Sequence, residues 1–316
     1  MGEGCLMERP PLRFREDGTF TIVQFTDLHI AGNPANDNII YDLMRRIMEV
    51  EQPDLVVFTG DVIYAPMCEH PEESYRKAVD VVEQTGIPWA AIYDNHDAEI
   101  ETTKEALMAL QQSYANCYSE PGPRDIHGIG NYMLPIVSAD NQVQAALYFL
   151  DTGENAEHSI GGYEWIRRSQ MNWYAEQSDR LKAENHKLVP ALMFCHIPMQ
   201  EFIMVWDTQT CYGQKNERVA CAQVNSGFFT TMVEQGDVMG VFVGHDHTND
   251  YWGRLHGIRL SYGRVTGDNV GGRIKRGARV IRLTAGDSEF ESWIHEDDGT
   301  IIKHQPEHQP ERTGWA

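Results

Sequence analysis

The sequence predicts an α/β fold in which two packed, mixed β-sheets are flanked by helices. Between residues 20 and 93, apolar β-branched runs alternate with segments whose apolar residues recur at helical spacing. Beyond residue 132 the pattern turns to short runs separated by turns, as antiparallel pairing requires. Five of the apolar runs, moreover, stop at a residue carrying an oxygen or nitrogen donor.

Residues 1–17 are polar and contain prolines, and read as an arm or a short edge segment. Residues 20–25 form a first strand that stops at Asp27-Leu28-His29. If the backbone stays extended there, Asp27 and His29 share one face. In residues 38–51, Ile39, Ile40, Leu43, Ile47 and Met48 follow helical spacing, and Pro53 closes the segment. Residues 55–59 then run into Gly60-Asp61, completing a βαβ unit with parallel strands.

Pro71 opens and Gly86 closes the next helix, over residues 71–84. The third strand, 87–93, runs into Asp94-Asn95-His96-Asp97. Residues 98–118 read as helical through Ala106, Leu107 and Leu110. After a glycine- and proline-rich stretch at 121–131, residues 132–137 and 143–150 form a hairpin through Asp140-Asn141.

The longest helical pattern, 163–184, assigns Trp165 and Trp173 to core or lid packing. Residues 188–195 return to the sheet and stop at His196. The irregular stretch 198–236, with Trp206, Tyr212 and a helix beginning at Phe228 and Phe229, reads as a lid or specificity insertion. Residues 238–243 lead into Gly244-His245-Asp246-His247, followed by short strands at 258–261, 279–284, 289–295 and 300–303 and a polar tail, 304–316. Neither repeats nor a linker interrupt the chain, so a single domain over 1–316 is expected.

The 316 residues carry 26 Lys and Arg against 47 Asp and Glu, a formal charge of -21, which opposes nucleic-acid binding through the general surface. A phosphate ligand would need a local positive centre, which bound cations provide. No apolar run is long enough for a membrane span, and no oligomeric state is legible. Cytoplasm is the default location, with a secreted or periplasmic one if a signal peptide has been removed. Six cysteines form no zinc-finger pattern; Cys211 and Cys221 could pair in an oxidising compartment, and Cys195 reads as a buried thiol.

The donors at the strand ends are Asp27, His29, Asp61, Asn95, His196, His245 and His247, with His96 and Asp97 beside the third strand. Ligands gather outside the carboxyl ends of strands in open sheets, where these side chains would converge. Two divalent ions roughly 3.5–4 Å apart need a shared anionic ligand and can clamp a phosphoryl group. A nitrogen-rich set suits zinc, manganese or iron better than magnesium alone.

In order and spacing, Asp27-x-His29, Gly60-Asp61, Asn95-His96-Asp97, His196 and Gly244-His245-x-His247 resemble the calcineurin-like metallophosphoesterases. Gly60-Asp61-x-x-Tyr64 and the glycine-rich segment 263–272 resemble most a branch related to purple acid phosphatases. The resemblance implies a four-layer αββα sandwich. It makes Asp27, His29, Asp61 and His247 ligands of one metal and Asp61, Asn95, His196 and His245 ligands of the other, with Asp61 bridging.

The activity implied is hydrolysis of a small phosphate ester, foremost a monoester, by in-line attack of a metal-bridging hydroxide. His96 would stabilise the phosphate or protonate the leaving alkoxide, and Asp97 would orient His96. Arg264 is the expected second anchor for a doubly charged phosphate. A phosphodiesterase, including one for cyclic nucleotides or phospholipid-type diesters, and a non-catalytic metal-stabilised binding protein are the alternatives.

Two departures from the family pattern stand out. Asp94 occupies the place of a usual glycine, where aspartate tolerates left-handed backbone and its carboxylate either tunes the metals or faces solvent. His29 fills the place served by a metal-binding tyrosine in purple acid phosphatases, leaving Tyr64 as a neighbour. Lys275 and Arg276 read as solvated turn charges, and His158 and His256 as structural or exposed.

Overall fold

Strand residues alternate between two apolar surfaces, and that alternation builds the layers. The computed structural model describes residues 9–269 and 271–310. In the Thr19–Phe25 strand, Phe20 and Ile22 point to one buried cluster while Val23 and Phe25 point to another. Leu55 and Val57 of the next strand join the first cluster, and Val56 and Phe58 the second. Each strand is thus apolar on both faces, as a sheet covered on both sides must be.

Among the described residues this sheet has six strands, in the order Ile301–Ile302, Phe290–Glu296, Gly277–Thr284, Thr19–Phe25, Leu55–Thr59 and Trp89–Ile92. Its last three strands pair parallel, as the βαβ pattern predicts. The helices Pro34–Glu51, Pro71–Glu83 and Lys104–Gln112 cover its outer face.

The second sheet has nine strands among the described residues: Leu12–Arg13, Tyr132–Val137, Val143–Phe149, Ala191–Phe194, Val238–Val243, Ile258–Tyr262, Trp252–Leu255, Cys211–Tyr212 and Glu307–His308. Helices Arg168–Asn185, Glu201–Thr208 and Phe228–Gln235 pack on its outer face. Between the sheets lies the third cluster, where Phe149, Phe194 and Phe242 stack at centroid distances of 5.2 and 5.4 Å. The result is the expected αββα sandwich of two mixed sheets.

Several elements differ from expectation. The helix expected over 98–118 is confined to Lys104–Gln112, because Thr103 caps its start and the backbone of Tyr118 instead bonds Trp89 at the sheet edge. The helix expected over 163–184 begins only at Arg168, since Tyr163 bridges to Asn155. Glu307–His308 is a strand inside the expected polar tail, paired with Cys211–Tyr212. Residues 1–8 and 311–316 of the expected arm and tail lie outside the described residues.

The irregular 198–236 segment holds two helices and a short strand. Trp206 lies stacked on His308 at 3.7 Å, and Phe228 and Phe229 are buried in the core, so these aromatics serve packing. The pairing open to Cys211 and Cys221 in an oxidising compartment does not form: Cys211 is buried with its thiol toward the Val205 carbonyl, and both are free thiols. Cys195 is likewise a free thiol, and burial pushes it up to about 12. Among the described residues, no helix is long and apolar enough to cross a membrane.

Candidate metal centre

Strands of both sheets end at one place. Asp27, His29, Asp61, Asp94 and Asn95 follow three neighbouring parallel strands of the six-stranded sheet. His196, His245 and His247 follow two neighbouring strands of the nine-stranded sheet. The sandwich therefore brings donors together across the gap between its sheets.

The backbone at these tips is not extended, contrary to the simplest reading of Asp27-x-His29. Asp27, His29, Asp61 and His245 have φ of 53°, 47°, 51° and 75°. Such left-handed geometry costs about 1–2 kcal/mol per residue and persists only where its surroundings enforce it. Here the His29 amide donates to the Asp61 carbonyl at 3.0 Å and the Gly267 amide to the Asp27 carbonyl at 3.0 Å. Two glycines make room: a Cβ at Gly60 would meet His196 Nδ1 at 2.5 Å, and one at Gly244 would meet the Thr26 hydroxyl at 2.0 Å.

Two groups of ligand atoms result, each within 4.8 Å of one another: Asp27, His29, Asp61 and His247, and Asp61, Asp94, His196 and His245. Asp61 Oδ2 lies 3.3 Å from His29 Nε2 and 3.5 Å from His196 Nε2, so one oxygen faces both groups. His247 Nε2 is 3.2 Å from His29 Nε2 and 3.5 Å from Asp27 Oδ1. Asn95, next to Asp94 in the chain, is buried.

Neighbouring groups fix the orientation of these side chains. The Thr26 hydroxyl and the His245 amide donate to Asp27, at 2.8 Å and 3.0 Å. The His96 amide donates to Asp61 Oδ1 at 3.2 Å, leaving Oδ2 for the centre. Asp97 accepts from the amides of Asp61, Ile63 and Asp94 at 2.9, 3.1 and 3.1 Å. The expected role of Asp97 is thereby corrected: it ties two strand-end loops together, and His96 Nδ1 faces Glu99 at 2.9 Å instead.

Charge is balanced in an unusual way. Asp27, Asp61 and Asp94 are at most 1% exposed, and among the described residues their ion-pair partners are all histidines. Burial works to raise Asp27, but His196 and His247 outweigh it and hold the carboxyl at about 2. Burial likewise opposes Asp61, which His196 and His29 hold well below its ordinary range. At Asp94 burial prevails and the carboxyl rises. Burial, aided by His196, depresses His245 to about 3.

These residues fit cations. Among the described residues, Asp94 Oδ2, Asn95 Oδ1 and His196 Nε2 are buried without a hydrogen-bond partner. Buried polar atoms are normally bonded, and buried charges are paired or bind metals. Carboxylate and imidazole together suit transition metals.

Arg264 lies elsewhere. It is 1% exposed and pairs with Asp250 and Glu296, the latter at 3.3 Å, and it donates to the Lys275 carbonyl at 2.9 Å. Its guanidinium is committed to the interior, which corrects the expected phosphate anchor. Lys275 is half-exposed and paired to Glu296 and Asp298, but Arg276 is buried, unlike a solvated turn charge. His158 and His256 are exposed.

Tyr64 stands 4.9 Å from the His96 ring and 5.9 Å from His29, the neighbour position expected. Asp94 was expected either at the metals or in solvent, on left-handed backbone. It is fully buried, its Oδ2 lies 3.3 Å from His196 Nε2, and its φ is not positive. Sequence reasoning missed Tyr163, whose ring stands edge-on 4.4 Å from His245, and Thr152, which carries no motif.

Fold and site together define a class: α/β metallophosphoesterase sandwiches, with metal donors pooled from the strand tips of two sheets. The chain belongs to the calcineurin-like phosphoesterase family, whose model matches residues 20–249. It is 37% identical over 307 residues to an Arabidopsis thaliana protein named probable inactive purple acid phosphatase 29, covering 87% of this chain and 79% of that one. It is 30% identical over 321 residues to phosphatase DCR2 of Saccharomyces cerevisiae, covering 89% of this chain and 54% of that protein. A solved dimetal phosphatase from Danio rerio shares the fold with a TM-score of 0.60 at 13% identity, over 86% of this chain and 98% of that one.

Proposed function

We propose that the chain hydrolyses a small phosphate ester at a pair of divalent or mixed-valence manganese, iron or zinc ions. The observation that carries this reading is Asp61 Oδ2, which faces His29 at 3.3 Å and His196 at 3.5 Å. Asp27, His29, Asp61 and His247 would hold one ion, and Asp61, Asn95, His196 and His245 the other. When bound, the pair would polarise the ester and acidify a nucleophilic water.

The chain's own groups supply the rest. His96 is partly exposed, its ring 5.3 Å from that of His29. With Nδ1 turned to Glu99, its Nε2 is the nitrogen left to donate a proton to the departing alkoxide. Glu217 accepts from the Thr248 amide and the Ala220 amide donates to Asp246 at 3.2 Å, so part of the 198–236 segment borders the donor loop and would act as a specificity element.

A monoester is the first reading, since DCR2 of Saccharomyces cerevisiae carries the name phosphatase, although the Arabidopsis relative carries it as probable inactive. Arg264 no longer supports it, because its charge is paired in the interior. A diester is the second reading: the buried Asp94 adds an anion to the centre, which favours a singly charged ester. Matched assays of metal-loaded protein on p-nitrophenyl phosphate and bis-p-nitrophenyl phosphate decide between them. A large diester preference would reverse the order, and no turnover of either with both metals bound would leave only a binding protein.

A further inference from the structure

Asp94 is fully buried, and its two oxygens have different surroundings. Oδ1 accepts from the Thr152 hydroxyl at 3.3 Å, and that hydroxyl in turn accepts from the Ile197 amide at 3.2 Å. The carboxylate is thus tied to the loop that carries His196. Oδ2 has no hydrogen-bond partner among the described residues and points among the donors, 3.3 Å from His196 Nε2 and 3.8 Å from His245 Nδ1.

The backbone is arranged to keep it there. The Asp94 amide donates to Asp97 Oδ2 at 3.1 Å, the same oxygen that receives the Asp61 amide at 2.9 Å. A Cβ at Gly60 would sit 3.0 Å from the Asp94 Cβ, so glycine there leaves space for this side chain. A carboxylate whose only task was to pair with His196 would direct a hydrogen bond to it. This one shares its oxygen between two imidazoles without bonding either.

We infer that Asp94 is a direct ligand of the second cation, binding through Oδ2 alongside Asp61, His196 and His245. This rests on the dimetal reading above and adds a residue to it. With Asp94, the second ion meets two carboxylates and two imidazoles, beside the amide oxygen of Asn95. A harder, more anionic set of this kind favours manganese or iron over zinc.

The test uses the full chain, stripped of metal and titrated with Mn2+ or Co2+, comparing wild type with D94N and D94G. Thermal melting verifies that each variant folds; D94N keeps the side-chain shape and D94G needs no special backbone. The inference expects two ions in wild type, an unchanged first ion in both variants, and a second ion bound at least about tenfold more weakly. The Co2+ absorption bands of the second site should shift as well. Wild-type affinity and an unchanged Co2+ spectrum in both variants would overturn the role of Asp94 while leaving the dimetal reading intact. Fewer than two ions in wild type would overturn both.

Discussion

Asp61 and His196 belong to different sheets, yet Asp61 Oδ2 and His196 Nε2 lie 3.5 Å apart. The same oxygen lies 3.3 Å from His29 Nε2, on the other side of the centre. Among the described residues, Asp61 is thus the one carboxylate common to both donor groups. D61N should reduce the binding of both ions and lower kcat/KM on the better phosphate ester by at least about 100-fold, since even outer-shell partners are worth about 10–100-fold. Metal content and kinetics measured on one preparation check this; loss of one ion alone would contradict it.

Chelation should destabilise the protein as well as inactivate it, because the buried carboxylates would be left with histidines alone as counter-charges. A ligand present at 100 times its Kd contributes about 2.7 kcal/mol, so the melting temperature should fall by roughly 4 °C or more without metal. Returning Mn2+ should restore it. A melting curve indifferent to metal would contradict the centre.

His96 should separate chemistry from metal binding. H96A should lower kcat by about 100- to 10,000-fold, the range for a lost general acid, with both ions retained. E99Q, which weakens the 2.9 Å contact to Nδ1, should have a smaller effect of the same sign. Atomic absorption beside steady-state kinetics reads both, and unchanged turnover in H96A would remove its assigned role.

Arg264 should behave as a structural residue. R264M breaks a buried network with Asp250 and Glu296, and should cost about 3–5 kcal/mol of stability. KM for either ester should stay within about twofold of wild type, because a lost group that touches no substrate removes no binding energy. A stable variant with a sharply raised KM would restore the phosphate-anchor role.

A pH effect is expected far from the metals. Burial raises the Asp237 carboxyl, which accepts from the Tyr174 hydroxyl, above its ordinary value of 3.8. The native state therefore keeps that proton to higher pH than the unfolded chain does. Its stabilisation is full below 3.8 and is lost as pH rises through the native value. D237N removes the dependence, so the wild-type-minus-variant stability in urea should decline as pH rises above about 4. A constant difference would contradict it.

The donors were legible because each follows an apolar run, and strand tips are where open sheets collect ligands. Their division between two sheets was not, because Leu55–Thr59 and Val238–Val243 are both buried on each face and read alike. Left-handed backbone at Asp27 and His29 was hidden too: it is imposed by hydrogen bonds from loops distant in sequence, not by residue type. Arg264 misled because a cation after a strand looks alike whether it faces a cleft or Asp250, which lies 14 residues away in the chain. Asp94 showed itself as a departure from pattern, but its direction depends on Thr152 and Gly60.

The most direct test is anomalous diffraction from manganese-loaded crystals of the full chain. Two peaks about 3.5–4 Å apart, with Asp61 coordinated to both, are the predicted result. A single peak, or two peaks with Asp61 bound to only one, would contradict the shared-carboxylate centre.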